Sequence, residues 1–150
     1  MSGVVQVDDP SSSAALQEIG VRILVVEDYA SWSHFLCSTL GQKQELRVVC
    51  VVSNGLDAVE KAKQLTPDLI MLDIGLPQLD GIQAARRILA FAPQSKIIFV
   101  SENRDLDIVE ETLKTGACGY VLKSRAASDL LVAVEAVLAG GTFVSEHISL

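Results

Sequence analysis

The sequence predicts an α/β fold, a parallel sheet with helices on both faces, and three observations predict it. Five short apolar runs rich in β-branched residues alternate with five segments of helical spacing, the pattern of repeated strand–helix units. The runs are apolar on both sides, as strands covered by helices on both faces should be. Glycines and prolines punctuate the boundaries between the two kinds of segment, where helices must stop.

Residues 1–20, MSGVVQVDDPSSSAALQEIG, are acidic and Ser-rich and read as a flexible leader, with a short helical turn expected near Ala14 to Ile19. Ile23–Val26 is the first expected strand, and Trp32, Phe35, Leu36 and Leu40 then share one helical face up to the stop at Gly41. Leu46–Val52 follows, with Leu56, Val59 and Ala62 as the next apolar stripe before Pro67. Leu69–Leu72 leads into the stripe of Ile82, Ala85 and Leu89, closed by Pro93. Ile97–Val100 precedes Leu106, Val109 and Leu113, ending at Gly116; Gly119–Leu122 precedes Leu130, Val134 and Val137, ending at Gly140-Gly141.

A chain of 150 residues is long enough for one domain that buries roughly two-thirds of its unfolded surface. Its net charge of −7 argues against direct contact with nucleic acid or an anionic membrane, both of which reward basic patches. Cys37, Cys50 and Cys118 lie far apart among apolar neighbours, so three reduced, mostly buried thiols are expected rather than a zinc site or disulfide. The first residues lack a basic and apolar signal pattern, and no apolar stretch approaches the ~18 residues of a membrane span. A cytoplasmic protein is expected.

In parallel α/β sheets the functional site lies at the carboxyl ends of the strands, near the reversal in strand order. The first strand runs into Glu27-Asp28, the third into Asp73, the fourth into Ser101 and the fifth into Lys123. Singly, each has a structural reading. Glu27-Asp28 suits a helix N-terminus, Asp73 and Asp80 suit turn formers before and within LPQLDG, Ser101 suits a helix cap, and Lys123 suits the surface. Together they place three carboxylates, a hydroxyl and an ammonium on one rim. Clustered carboxylates repel unless a cation intervenes, and Mg²⁺ with oxygen ligands suits a shallow site that keeps several waters. One carboxylate could then attack phosphorus to form an acyl phosphate.

Glu27-Asp28, Asp73 with the following IGLPQLDG, Ser101, and GACGYVLKS carrying Tyr120 and Lys123 resemble the receiver domain of two-component response regulators over Arg22 to about Gly141. The resemblance implies a flavodoxin-like (βα)5 fold with a five-stranded parallel sheet of order 2-1-3-4-5. It implies Asp73 as phosphoacceptor from a sensor histidine kinase, and Glu27, Asp28, Asp73 and the Gly75 backbone carbonyl as Mg²⁺ ligands. Lys123 would pair with the phosphoryl group, while Ser101 and Tyr120 would switch. The fourth helix, fifth strand and fifth helix would then change surface, altering dimerisation or partner binding. The ending LLVAVEAVLAGGTFVSEHISL is similar to the NarL/FixJ (LuxR-type) subgroup, which implies a receiver over 21–141 and, at 142–150, the start of a linker to a transcriptional output domain. Either the receiver belongs to such a longer regulator or it stands alone.

Three departures from the family pattern bear on rate. Ser124 follows Lys123 where many receivers have proline, so a cis bond there would be the costly non-proline kind at ~3 kcal/mol. Glu102 takes the place of a small residue and could narrow access, and Gly75 and Asn103 occupy positions that tune acyl-phosphate lifetime. Competing readings are a pseudo-receiver acting only through protein–protein interaction, a phosphohydrolase and a nucleotide-binding module. Gly75 lacks the second acid that a rapid phosphohydrolase needs, and VVEDYASW offers acids where a glycine-rich phosphate loop belongs.

Overall fold

A computed structural model describes residues 20–148, so the turn expected near Ala14 to Ile19 lies outside the described residues. Val21–Val26 (β1), Leu46–Val52 (β2), Leu69–Leu72 (β3), Lys96–Ser101 (β4) and Gly119–Leu122 (β5) are the five expected strands. Between and after them run Ala30–Leu40 (α1), Gly55–Leu65 (α2), Gly81–Phe91 (α3), Leu106–Lys114 (α4) and Ala126–Leu138 (α5). All strand pairings are parallel. The sheet order is β2-β1-β3-β4-β5 with one addition, Phe143–Val144 (β6), beside β5.

That sixth strand corrects the expected five-stranded sheet. It is only two residues long, and it forms because Gly119 and Tyr120 of β5 present an open edge to Phe143 and Val144. The stretch beyond it is tied down as well. Ser145 is buried, its hydroxyl donating to Asp129 Oδ2 at 2.7 Å and accepting from the Leu122 N–H at 3.0 Å. Arg104 Nε, in the loop after β4, donates to the His147 carbonyl at 3.2 Å.

Alternation along each strand sends side chains to two separate clusters. Leu24, Val26, Ile70, Leu72, Phe99 and Tyr120 pack under α2, α3 and α4. Ile23, Val25, Met71, Ile98, Val100 and Val121 pack under α1 and α5. Burial on both faces holds for β3 and β5 throughout, but not for β2. As the sheet edge, β2 leaves Arg47 and Val51 exposed. The three cysteines are unpaired and half-buried rather than mostly buried. They pack at the margins of the two clusters, not within them. No peptide bond among the described residues is cis, the Lys123–Ser124 bond included, and no helix among them is long and apolar enough to cross a membrane.

The Ser145 contacts give a stability prediction. Burial alone would raise the Asp129 carboxyl, but hydrogen bonds from Ser145, Ser128 and Arg125 outweigh it and hold the group below its ordinary value. A depressed folded-state pKa stabilises above the unfolded value and loses that contribution as pH falls through the folded one. Ser145→Ala therefore costs about 1–3 kcal/mol at neutral pH, since it strands the Leu122 N–H and removes a donor to Asp129. In urea unfolding the gap to wild type narrows below about pH 4, without closing, because the stranded N–H does not titrate.

Candidate functional site

The site forms where the sheet order reverses between β1 and β3. The Glu27 N–H donates to the Val52 carbonyl and the Asp73 N–H to the Val26 carbonyl, at 3.0 and 3.1 Å. These bonds extend the ladder one residue past each strand, so both carboxylates leave the sheet at fixed positions. One oxygen each of Glu27, Asp28 and Asp73 lies within 4.8 Å of the others. Glu27 and Asp73 are buried, whereas Asp28 is exposed.

Lys123 opens the one-turn 3₁₀ segment Lys123–Arg125 directly after β5, and its side chain is only 5% exposed. Its Nζ stands 2.8 Å from Glu27 Oε1 and 3.5 Å from Asp73 Oδ2. The approach to Glu27 is close enough for an ion pair but poorly aligned for a hydrogen bond, which leaves Oε1 buried without a directed donor. Burial alone would lower the Lys123 pKa; Glu27 and Asp73 outweigh it and hold the ammonium charged. Glu27 moves up, first because it is buried and also because Asp73 repels it, against the lowering effect of Lys123 and the Tyr29 N–H. One ammonium does not neutralise three carboxylates, so the cluster retains an appetite for a cation.

Around this core lies an open cleft of ≈ 390 Å³ lined by Tyr29, Asp73, Ile74, Gly75, Ser101, Glu102, Asn103 and Lys123. Asp73 Oδ1 accepts from the Ile74 N–H at 2.8 Å, leaving Oδ2 as the oxygen nearer Lys123. Ser101 is buried at the end of β4, where its Oγ accepts from the Asn103 N–H at 3.1 Å. It does not cap α4; Asp105 does, through the Asp107 N–H. The turn reading holds for Asp80, which caps α3 through the Gln83 N–H. Glu102 and Asn103 are exposed at the mouth. Tyr120 is fully buried and its hydroxyl donates to the Asn103 carbonyl at 2.6 Å, so the ring is already turned inward.

Asp73, Ser101 and Lys123 thus border one cleft, whereas Glu27 and Asp28 line a second one beside α1 and β2 and meet the first through Asp73 and Lys123. Two others were missed. Tyr29 follows the acidic pair and lines the mouth, and Trp32, expected only as a core-facing helix residue, also brings its ring to 5.0 Å from Lys123 Nζ. A tyrosine and a tryptophan within four residues of Asp28 were the available signal.

The family described as response regulator receiver domain matches residues 23–135. The transcriptional regulatory protein LnrK of Bacillus subtilis is 33% identical over 81% of this chain and 55% of its own length. The chemotaxis protein CheY of Listeria monocytogenes is 31% identical over 77% of this chain and 96% of its own length. A crystal structure of a LuxR-family two-component response regulator from Aurantimonas superposes with a TM-score of 0.82 at 27% identity, covering 86% of this chain and 92% of that one. The chain spans little more than half the length of the transcriptional regulators it matches.

Proposed function

Because the chain belongs to the response regulator receiver domain family of two-component signalling, we propose that it is a phosphorylation-dependent switch whose acceptor is Asp73. A sensor histidine kinase donates the phosphoryl group: Asp73 Oδ2 attacks phosphorus, the bond from phosphorus to the donor breaks, and an acyl phosphate forms. One observation carries this reading, the buried Lys123 ammonium shared between Glu27 and Asp73 at the edge of an acidic cleft.

The donor set fits Mg²⁺. Three carboxylate oxygens lie within 4.8 Å of one another, close to the ~4 Å between opposite oxygens around an ion with 2.0–2.1 Å bonds. Glu27, Asp28, Asp73 and the Gly75 carbonyl would hold it, and the bound ion would neutralise charge on the transferring group. Lys123 then stabilises the phosphoryl oxygens from the β5 side. Ser101 Oγ gives up the Asn103 N–H to donate toward the new charge, and the Asn103 carbonyl that holds Tyr120 shifts with it. The α4-β5-α5 surface changes accordingly and controls a transcriptional output domain reached through 142–150, with homodimerisation as one form of that control. The chain is a phosphoacceptor with at most slow self-catalysed turnover, acting in the cytoplasm without touching nucleic acid itself.

Intact-mass measurement after mixing with Mg²⁺ and a small phosphodonor tests this. One added phosphoryl group per chain is expected, removed by base as an acyl phosphate should be. Glu102 at the cleft mouth favours the pseudo-receiver alternative, and no adduct under conditions that label another receiver would establish it.

A further inference from the structure

Trp32 is the chain's one tryptophan, set in the first turn of α1. Its ring centroid lies 5.0 Å from Lys123 Nζ, and that of Tyr29 lies 5.9 Å away. The ammonium is therefore held between two carboxylates and two aromatic rings. The two rings differ in burial. Tyr29 is 64% exposed, whereas Trp32 is partly buried, packs on the cluster beneath α1 and meets Phe35 edge to face at 5.5 Å and 81°. Packing on both sides therefore positions the indole beside Lys123.

We propose that Trp32 is a positioning residue for Lys123, keeping the ammonium desolvated and within reach of Asp73 when Glu27 is withdrawn from it. The proposal rests on Asp73 being the phosphoacceptor. In the structure the nearest partner of Lys123 is Glu27, not Asp73. A cation engaged by Glu27 removes that partner and leaves the ammonium only its longer contact with Asp73 Oδ2 at 3.5 Å, which by itself holds it loosely against the pull of water. The attraction of an indole face for a cation acts out to ≈ 6 Å of the ring centroid and does not demand one donor direction. Lys123 can therefore pivot from Glu27 toward Asp73 across Trp32 without leaving its environment. Leucine at position 32 preserves apolar packing but offers no such face, and phenylalanine offers a weaker one.

Single-turnover phosphorylation of the whole chain by a small phosphodonor separates this role from mere packing. Trp32→Leu should lower the maximal rate roughly five- to thirty-fold with the half-saturating donor concentration unchanged, and Trp32→Phe should recover most of the loss. Indole emission of the metal-free protein gives a second readout. It should differ between wild type and Lys123→Met, and Mg²⁺ should shift it in wild type but not in that variant. Equal rates in Trp32→Leu and wild type, equal loss in the Leu and Phe variants, or identical emission with and without the ammonium would each overturn the proposal and leave the phosphoacceptor reading standing. No phosphate on wild type would instead overturn that reading, and the positioning role with it.

Discussion

Asp73→Asn is expected to abolish phosphate incorporation while the domain stays folded. Loss of the nucleophilic carboxylate removes the chemistry outright, because an amide oxygen does not form a stable acyl phosphate. The structural cost is small. Asparagine has the same shape, and its Oδ1 can still accept the Ile74 N–H that Asp73 Oδ1 accepts at 2.8 Å. Lys123 keeps its closer partner, Glu27 at 2.8 Å, against 3.5 Å to Asp73. Asp73 also raises the pKa of Glu27, so removing its charge relieves a repulsion. Without Mg²⁺ the variant should be no less stable than wild type in thermal or urea unfolding. A large fall in melting temperature would instead favour Asp73 as a structural turn residue.

That expectation came from strand-end composition, and it marks what the sequence makes legible. Apolar runs locate β1, β3, β4 and β5 because burial on both faces leaves no other residue types acceptable there. The residues just past those runs are visible because polar groups directly after hydrocarbon are conspicuous. Less visible is anything set by neighbours distant in sequence. Phe143–Val144 has strand-forming residues but is too short a run to announce a strand, and it pairs because β5 offers a free edge. Trp32 satisfies the helical stripe of α1 and so looks like core, and only the position of Lys123 reveals its second contact. Nor does the sequence tell where the Tyr120 ring sits: its hydroxyl is bonded to the Asn103 carbonyl, seventeen residues earlier in the chain. A single sequence encodes which groups need partners more plainly than where the partners come from.

Gly81→Ala illustrates the same limit and carries the largest expected stability effect. Within LPQLDG, Gly81 looks like a turn glycine chosen for its freedom, but its φ is not positive. The constraint is contact. A Cβ at Gly81 would lie 1.9 Å from the Asp73 carbonyl oxygen and 2.9 Å from both the Asp73 carbonyl carbon and the Ile74 Cα. These are backbone atoms, and the Gly81 N–H already donates to the Ile74 carbonyl at 2.7 Å, so neither side can swing aside as a side chain would. Either α3 moves outward or the Asp73–Ile74 peptide does. Unfolding measurements should show a loss of about 3 kcal/mol or more. Phosphate incorporation should fall on the order of 100-fold in whatever fraction remains folded, the usual consequence of displacing a reacting group by about 1 Å. Two companions isolate the cause. Gly55→Ala drives a Cβ to 1.8 Å from the Leu79 carbonyl oxygen, so it should cost comparable stability with a smaller effect on rate. Gly75→Ala meets nothing within 4 Å and should stay within about 0.5 kcal/mol of wild type, although Gly75 sits only two residues from the acceptor. If Gly81→Ala proved as harmless as Gly75→Ala, the close backbone approach would not be what fixes the position of Asp73.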